Sequence, residues 1–206
     1  MPAMEITATD VKTLRERTGA PMMECKRALA EAQGDLAKAE LVLARQGIAA
    51  AAKKATRTAS EGAIGSYIHA GGKLGVLVEV ACESDFVART DEFQQLVHDL
   101  AMHVAATGPR YLNRESIPAD VLAAERTRLR QEAETANPSK PAAILEKITE
   151  GKLGKFFEDH CLLEQHFIKD DKMTIAELVA SKMAKFGENI QVRRTCRFKV
   201  GDETPA

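Results

Sequence analysis

The side chains that could carry chemistry are spread too widely along this sequence to form a familiar catalytic or metal-binding motif. The cysteines stand at positions 25, 82, 161 and 196, so no pair has the C-x-x-C spacing of a zinc or redox site. His98 and His103 are five residues apart on a predicted helix, about 140° out of register, and do not form a metal-binding pair. Neither a phosphate-binding glycine loop nor a nucleophile elbow nor a zinc-protease motif is present. The sequence therefore predicts a protein that is not an enzyme and has no catalytic residues, no metal and no cofactor of its own.

The cysteines also bear on location. Widely spaced thiols without a disulfide framework are typical of cytosolic proteins, and nothing in the sequence resembles a signal peptide or a membrane-spanning segment, so we expect a cytoplasmic protein. Cys25 and Cys82 fall in helix and strand patterns and are expected in the core. For Cys196, flanking cations favour a reactive thiolate, whereas the usual burial of cysteine favours a core position in a strand. A disulfide between two copies of the chain through Cys196 is a third alternative.

An aromatic residue between a strand and a helix is the most informative single position. Residues 75–82 alternate as a strand, and residues 91–105 have an apolar face at helical spacing, with Thr90 as the predicted N-cap. Phe86 lies in the junction and fits neither pattern. Its ring is either buried beneath the turn or presented to a partner, and the usual burial of phenylalanine favours the first alternative.

Three short helices are predicted at the start of the chain. Thr7 or Thr9 caps the first, Pro21 begins the second, and Asp35 caps the third. Glycines are predicted to end all three, at Gly19, Gly34 and Gly47. Loops this short make neighbouring helices pack on one another.

Two consecutive methionines begin the second of these helices. Because successive helical positions are about 100° apart, we expect one of Met22 and Met23 in the core and the other on the surface. A flexible surface methionine is suited to gripping a partner, and Lys26 flanks that position.

The remaining patterns predict an α+β fold, in which the helical bundle is followed by a small antiparallel sheet with helices packed on it. Residues 61–83 form a hairpin, and residues 190–200 form a last strand that pairs with it. The predicted helices cover residues 91–108, 118–136, 140–159 and 174–187, whereas residues 160–172 are ambiguous. We therefore predict a helical domain at 1–50, a basic linker at 51–60, an α/β core domain at 61–200 and a tail at 201–206.

The charge balance argues against nucleic acid as a direct partner. Lysine and arginine together number 29, aspartate and glutamate 30, and the formal net charge is −1. Nucleic-acid-binding domains usually carry a basic surplus. Aromatic residues make up only 4%, which also disfavours a base-stacking surface.

Five segments, in order, resemble the bacterial translation elongation factor Ts family. They are TDVKTLRERTGAPMMECKRAL, AAKKA, GSYIH, EVACESDFVA and AKFGENIQVRR, and the resemblance runs from Ile6 to Val200. The length is similar to the short form of the family, which has one core sheet module. Ser84 stands where the family motif T-D-F-V usually has threonine, and Pro21 stands where glycine is common.

The resemblance implies that the protein binds the GDP-bound GTPase elongation factor Tu, dislodges Mg²⁺ and promotes GDP release during translation elongation. It implies that the N-terminal domain is a ubiquitin-associated-like bundle that grips the partner. Displacement of the partner's Mg²⁺ is assigned to Ser84, Asp85, Phe86 and Val87, with Phe86 as a wedge, which reverses the expectation that its ring is buried. Contacts with the partner are assigned to Leu14, Arg15, Met22, Met23, Lys26, Lys54, His69, Phe186 and Gly187.

Short forms of the family are associated with dimers, so a homodimer is a further expectation; the residues themselves leave the oligomeric state open. Three alternatives to an exchange factor are also left open. The first is a ubiquitin-associated-like adaptor with an unrelated C-terminal domain, and the second is a metal or redox protein using His160, Cys161 and His166. The third, a nucleic-acid binder, is disfavoured by the charge balance.

Overall fold

A computed structural model describes residues 6–202, which form eight α-helices and five β-strands. The helices are α1 (Ala8–Thr18), α2 (Met22–Glu31), α3 (Leu36–Lys54), α4 (Asp85–Ala88), α5 (Asp91–Thr107), α6 (Ala119–Ala136), α7 (Ala142–His160) and α8 (Ile175–Phe186). The strands are β1 (Glu61–Ile68), β2 (Leu74–Cys82), β3 (His166–Phe167), β4 (Asp170–Thr174) and β5 (Gln191–Lys199).

Contacts divide the chain into two compact units. The first contains the described residues up to Ala63, together with Val80–Gln94 and Glu177–Gln191. The second contains Ile64–Glu79, Gln95–Ala176 and the described residues from Val192 onward. The predicted combination of helices with a small antiparallel sheet is confirmed.

The first unit contains the three-helix bundle. Thr7, rather than Thr9, caps α1 in a reciprocal arrangement: its Oγ1 accepts the Asp10 N–H at 3.2 Å, and an Asp10 carboxylate oxygen accepts the Thr7 N–H at 3.0 Å. Gly19 ends α1 with φ of 68°, a conformation that glycine adopts without steric cost. The helices close over small and branched side chains that share one core: Val11, Leu14, Cys25, Ala28, Leu29, Ala32, Ala39 and Leu43.

The third helix is longer than the sequence pattern indicates. Asp35 caps it as predicted, since its Oδ1 accepts the Lys38 N–H at 3.1 Å, but the predicted end at Gly47 is wrong. The helix continues through Lys54 because the following residues are rich in alanine, the best helix former, and a single glycine costs only about 1 kcal/mol. The predicted boundary at residue 50 thus lies within a helix, and the division into domains stays a prediction.

The three-stranded sheet has the order β1-β2-β5. The predicted hairpin and the pairing of the last strand with it are both confirmed, and the Val200 N–H donates to the Lys73 carbonyl at 2.9 Å, at the far end of an antiparallel ladder. Gly65 faces α5, where an added Cβ would overlap Val97 Cγ1. Cys25 and Cys82 are buried as expected, but Cys196 is exposed on β5, so its predicted burial is wrong. β5 is an edge strand with residues of one face open to solvent.

The ambiguous segment 160–172 is resolved in the second unit. α7 continues to His160, a 3₁₀ turn covers Leu162–Glu164, and β3 and β4 form a short antiparallel hairpin. The buried His103 on α5 meets this segment, with its Nε2 3.0 Å from Gln165 Oε1. A second helical pair, α6 and α7, encloses Ile117, Leu129, Leu153, Phe157 and Cys161. None of the helices within residues 6–202 is both long enough and apolar enough to cross a lipid bilayer.

Candidate partner-binding site

The junction that carries Phe86 is a capped helical turn rather than an irregular loop. Ser84 is the N-cap of α4, and its Oγ accepts the Val87 N–H at 3.3 Å. Thr90 then caps α5, as predicted, by accepting the Phe93 N–H at 3.2 Å. Two caps within seven residues hold the backbone of Ser84–Thr90 in a defined conformation.

A carboxylate from a distant part of the sequence fixes the first of these caps. Glu188 Oε2 accepts the N–H groups of Glu83 and Ser84, each at 3.1 Å. Glu188 Oε1 accepts the Ser84 hydroxyl at 2.6 Å. The Ser84 hydroxyl thus donates to Glu188 while accepting from Val87, which a serine does as well as the threonine usual in the resembled family.

Phe86 projects from this fixed turn into solvent. Its side chain is 82% exposed, the largest value among the exposed large apolar residues of the described chain. The expectation of a buried ring, favoured by the general habit of phenylalanine, is wrong, and the alternative of an exposed ring is confirmed. A large apolar side chain held out by a rigid turn has the geometry of a group that inserts into another surface.

The other residues of the turn are less exposed. Asp85 forms an ion pair with Arg89 at 2.9 Å, one helical turn away, and both side chains remain accessible to solvent. Such an exposed pair contributes little to stability. Val87 is half-buried, and its carbonyl accepts the Thr90 hydroxyl at 2.8 Å. The turn therefore presents one apolar ring beside one accessible carboxylate.

The two methionines of α2 are both exposed, at 49% for Met22 and 62% for Met23, so the expected core position for one of them is wrong. The buried face of α2 begins at Cys25, and Met22 extends the same stripe by one turn, at the very start of the helix. Lys26 is exposed beside them. These residues form an apolar surface with a cation at its edge.

On α1, the two predicted contact residues differ in exposure. Arg15 is exposed. Leu14 is 0% exposed and belongs to the core of the bundle, so a surface contact by its side chain is corrected to a supporting role for the helix that carries Arg15. The reason is that α1 has a single apolar stripe, and Leu14 with Val11 supplies it.

The end of α8 lies in the same unit. Gly187 stops the helix with φ of 75°, and its N–H donates to the Met183 carbonyl at 3.0 Å. The Phe186 ring packs edge-on against Phe93, with 6.5 Å between centroids. Lys54, at the end of α3, donates from Nζ to the Met183 carbonyl at 3.3 Å. The structure therefore gives Lys54 an internal partner in addition to its predicted external one.

His69 belongs to the second unit. It is exposed, follows β1 in the second unit, and its Nδ1 lies 3.2 Å from the Tyr67 hydroxyl. All the other predicted site residues belong to the first unit.

An ion-pair cluster supports α5 and α8. Glu92 lies 2.6 Å from Lys182 Nζ and 2.7 Å from Lys185 Nζ. Partial burial acts to raise the pKa of Glu92, but the hydrogen bonds and charges of the two lysines outweigh it and lower the pKa below its ordinary value. This carboxylate therefore stays ionised and holds the two helices together.

The described residues contain no arrangement of three or more histidine, cysteine, aspartate or glutamate side chains that could hold a metal ion. His160, Cys161 and His166 do not form such a group. Burial raises the pKa of the Cys161 thiol, which disfavours the reactive thiolate. What the first unit does present is a set of exposed apolar and charged side chains suited to binding another protein.

Glu188 and Asn189 were missed by the sequence analysis. Asn189 is buried; its N–H donates to Glu83 Oε1 at 2.6 Å, and its Nδ2 donates to the Arg57 carbonyl at 2.7 Å. These contacts join residues more than a hundred positions apart, so no local sequence pattern predicts them. The one available signal is that Glu188 directly follows the helix-ending Gly187 and Asn189 comes next.

Comparison with known proteins agrees with the resemblance. A family model described as Elongation factor TS matches residues 47–202. The chain is 56% identical over 210 residues to Elongation factor Ts of Solibacter usitatus, covering 98% of each chain. It is 58% identical over 198 residues to that of Anaeromyxobacter sp. strain Fw109-5, covering 96% of this chain and 90% of the relative. With Elongation factor Ts of Moorella thermoacetica the identity is 54% over 197 residues, covering 96% of both chains.

Proposed function

The chain belongs to the elongation factor Ts family, a family of translation elongation factors, and from this premise we propose that it is a guanine-nucleotide exchange factor. In this proposal it binds the GDP-bound GTPase elongation factor Tu, displaces the Mg²⁺ that the partner holds, and promotes release of GDP. It does so in the cytoplasm and without an active site of its own.

The exposure of Phe86 on a doubly capped turn is the observation that carries the proposal. Magnesium bridges nucleotide phosphates and protein oxygens, so a side chain that displaces its ligands weakens nucleotide binding. Burial of the Phe86 ring in the partner contributes about 1.5–3 kcal/mol, which helps to offset the distortion that the ring causes. Ser84 and Val87 hold the turn, and Asp85 offers a carboxylate near the nucleotide site.

Exchange follows from reciprocal coupling between two ligands of the partner. If this protein weakens GDP binding by some factor, GDP must weaken the binding of this protein by the same factor. Release of GDP by the exchange factor and displacement of the factor by GDP are then two consequences of one coupling free energy, and the same reciprocity holds separately for GTP.

The bundle is proposed to act as a ubiquitin-associated-like grip on the partner. Met22 and Met23 form an exposed apolar surface on α2, and Arg15 and Lys26 supply charge beside it. Leu14 supports this surface from within the core. The remaining proposed contacts, in the first and second units, are Lys54, Phe186, Gly187 and His69.

The test is the release of fluorescent GDP from purified elongation factor Tu, with and without this protein. We expect the wild type to accelerate release and Phe86→Ala to retain much of its affinity but lose much of the acceleration. Ile144→Ala, at an exposed apolar residue of α7, serves as the control and should behave as wild type. Acceleration by Phe86→Ala equal to wild type would discard the wedge, and no acceleration by either protein would leave an adaptor that binds without exchange.

We also propose that the chain forms a homodimer through the sheet face of the second unit that points away from α5. Gly65 and Tyr67 face α5, where Tyr67 packs edge-on against His98. Alternation along β1 then places Ile64 and Ile68 on the opposite face, where both are exposed. The same face carries further exposed apolar residues on the neighbouring strands, Leu77 and Phe198.

An exposed apolar sheet face of this kind is typical of an association surface. Sedimentation equilibrium of the wild type under reducing conditions should give twice the chain mass, and Phe198→Glu should shift the protein to monomer. Cys196 is exposed on the same strand. If a disulfide can join the two copies, mild oxidation should produce a covalent dimer of the wild type and none of Cys196→Ser. A monomeric wild type at micromolar concentration would refute the dimer.

A further inference from the structure

We propose that Glu188 is a positioning residue for nucleotide exchange, because its carboxylate holds the turn from which Phe86 projects. This inference rests on the proposed exchange function and assigns a role to a residue outside the S-D-F-V segment. Glu188 itself is half-buried and lies in the loop that follows α8.

The contacts of Glu188 converge on the start of the α4 turn. Its Oε2 accepts the N–H groups of Glu83 and Ser84 at 3.1 Å each, and its Oε1 accepts the Ser84 hydroxyl at 2.6 Å. Hydrogen bonds to a charged acceptor are about twice as strong as neutral ones. Three such bonds on one carboxylate fix the place where β2 ends and α4 begins.

The Ser84 hydroxyl links Glu188 to the α4 turn. Because this hydroxyl donates its proton to Glu188, a lone pair of the same oxygen is left pointing toward the Val87 N–H, 3.3 Å away. Linked hydrogen bonds of this kind polarise and strengthen one another. Val87 directly follows Phe86, so the cap and the base of the exposed ring are held by one chain of contacts.

The next residue anchors the same loop. Asn189 donates its N–H to Glu83 Oε1 at 2.6 Å and its Nδ2 to the Arg57 carbonyl at 2.7 Å. Glu83 is thus held from both its backbone, by Glu188, and its side chain, by Asn189. Since the loop is fixed independently by the buried Asn189, the loss of the Glu188 carboxylate is expected to free the turn without unfolding the loop.

The carboxylate of Glu188 suits the site better than a neutral side chain of the same shape. A glutamine at this position could accept both backbone N–H groups through its oxygen, but its NH₂ group would then face Ser84 Oγ. The Ser84 hydroxyl would have to turn its proton away and would lose its bond to a charged acceptor. Removing the side chain altogether leaves two half-buried N–H groups without their acceptor, which is costly. Glu188→Gln, which is nearly isosteric, should therefore lower the exchange rate, but by less than Glu188→Ala does.

A double-mutant cycle on GDP release separates positioning of Phe86 from a general structural effect. We expect Glu188→Ala to lower the maximal exchange rate by about tenfold, while affinity for the partner changes by less than about threefold. In the Phe86→Ala background, Glu188→Ala should have no further effect. Equal losses in both backgrounds would overturn the proposal, since Glu188 would then act independently of the ring. Glu146→Ala, at an exposed glutamate of α7, is the matched control.

A measurement on the protein without its partner keeps this proposal separable from the proposed function. Amide hydrogen exchange at Val87, whose N–H donates to Ser84 Oγ, should speed up in Glu188→Ala and Glu188→Gln and stay unchanged in Glu146→Ala. Unchanged protection at Val87 would overturn the positioning role. If the wild type failed to accelerate GDP release, the exchange function would fall, while protection at Val87 would still decide whether Glu188 holds the turn.

Discussion

Phe86 is exposed because its backbone is held from both sides while its ring is left in solvent. Ser84 caps α4, which contains Phe86, Thr90 caps α5, which follows it, and Glu188 fixes the first cap. If the turn could reorient, the phenylalanine ring would be expected to pack against the protein, since burying a side chain of this size contributes about 1.5–3 kcal/mol. The rigidity of the turn is therefore what keeps the ring available to a partner.

At this scale the first prediction is that Phe86→Ala leaves folding stability unchanged. The ring is 82% exposed, so its removal opens no cavity and exposes little new surface. We expect a change in the free energy of unfolding of less than about 0.5 kcal/mol, measured by urea titration. Phe93→Ala, which removes a ring of 0% exposure, is the matched control and should cost about 3–5 kcal/mol. A large loss in Phe86→Ala would mean that the ring packs against the chain in solution.

At the scale of elements, two glycines in the second unit have opposite roles. Gly65 on β1 lies so close to α5 that a Cβ would overlap Val97 Cγ1 and lie 3.1 Å from the Val97 carbonyl oxygen. A Cβ at Gly151, on the exposed side of α7, would meet nothing within 4 Å. The first glycine allows a strand and a helix to approach closely, whereas the second only weakens a helix.

We therefore predict changes of opposite sign for the two alanine substitutions. Gly65→Ala should destabilise the protein by about 1–3 kcal/mol through overpacking between β1 and α5. Gly151→Ala should stabilise it by about 0.5–1 kcal/mol, because alanine has the higher helix propensity. Urea unfolding followed by circular dichroism measures both. A neutral Gly65→Ala would show that the strand and helix can separate without cost.

The bundle has a small core, so replacing one core residue should affect stability much more than replacing a surface residue of the same bundle. Leu14→Ala removes a fully buried side chain and should destabilise the bundle by about 2–5 kcal/mol. Met23→Ala, at a residue 62% exposed, should change stability by less than about 0.5 kcal/mol yet weaken binding to the partner. Hydrogen exchange in α1, α2 and α3 reports the first effect. Weak binding by Met23→Ala together with lost protection would contradict a purely surface role.

For the whole molecule, the response of stability to pH depends on groups with shifted pKa values. Burial lowers the pKa of His103 below its ordinary value of 6.5, although a hydrogen bond with Gln165 opposes the shift. A histidine that is buried in its neutral form contributes stability that is fully present above the pKa of that histidine in the unfolded chain. This stability is lost as the pH falls below that pKa. The lowered pKa of Glu92 contributes in the same direction, but only near and below its ordinary value of 4.5.

We predict that stability falls by up to about 1.4 kcal/mol between about pH 7.5 and about pH 5.5 through His103 alone. His103→Phe removes this titration and should show a flatter dependence over the same range, whatever its own stability. Urea titrations at the two pH values give the slopes. Identical slopes in the two proteins would exclude His103 as the source of acid sensitivity.

The sequence by itself determined most of the elements and their order. Helix caps, glycine stops and the alternation of the hairpin are signals carried by neighbouring residues. They located Gly19, Thr90 and the hairpin of β1 and β2, and they narrowed the first cap to Thr7 or Thr9. The end of α3 was misplaced because a glycine is a strong helix stop only where the backbone turns left-handed, and Gly47 does not. Local patterns singled out Phe86, the two methionines of α2 and Lys26, and the five family segments supplied the remaining proposed site residues.

The tertiary structure alone decided which of those side chains are free to meet a partner. Exposure depends on what lies across the fold: Leu14 is covered by neighbouring helices, whereas Met22 lies at a helix end where the core stops. The carboxylate of Glu188 reaches Ser84 across 104 positions of sequence, a distance over which periodicity carries no information. Local chemistry therefore specified the turn that bears Phe86, and packing between distant segments decided that the turn is rigid and its ring exposed.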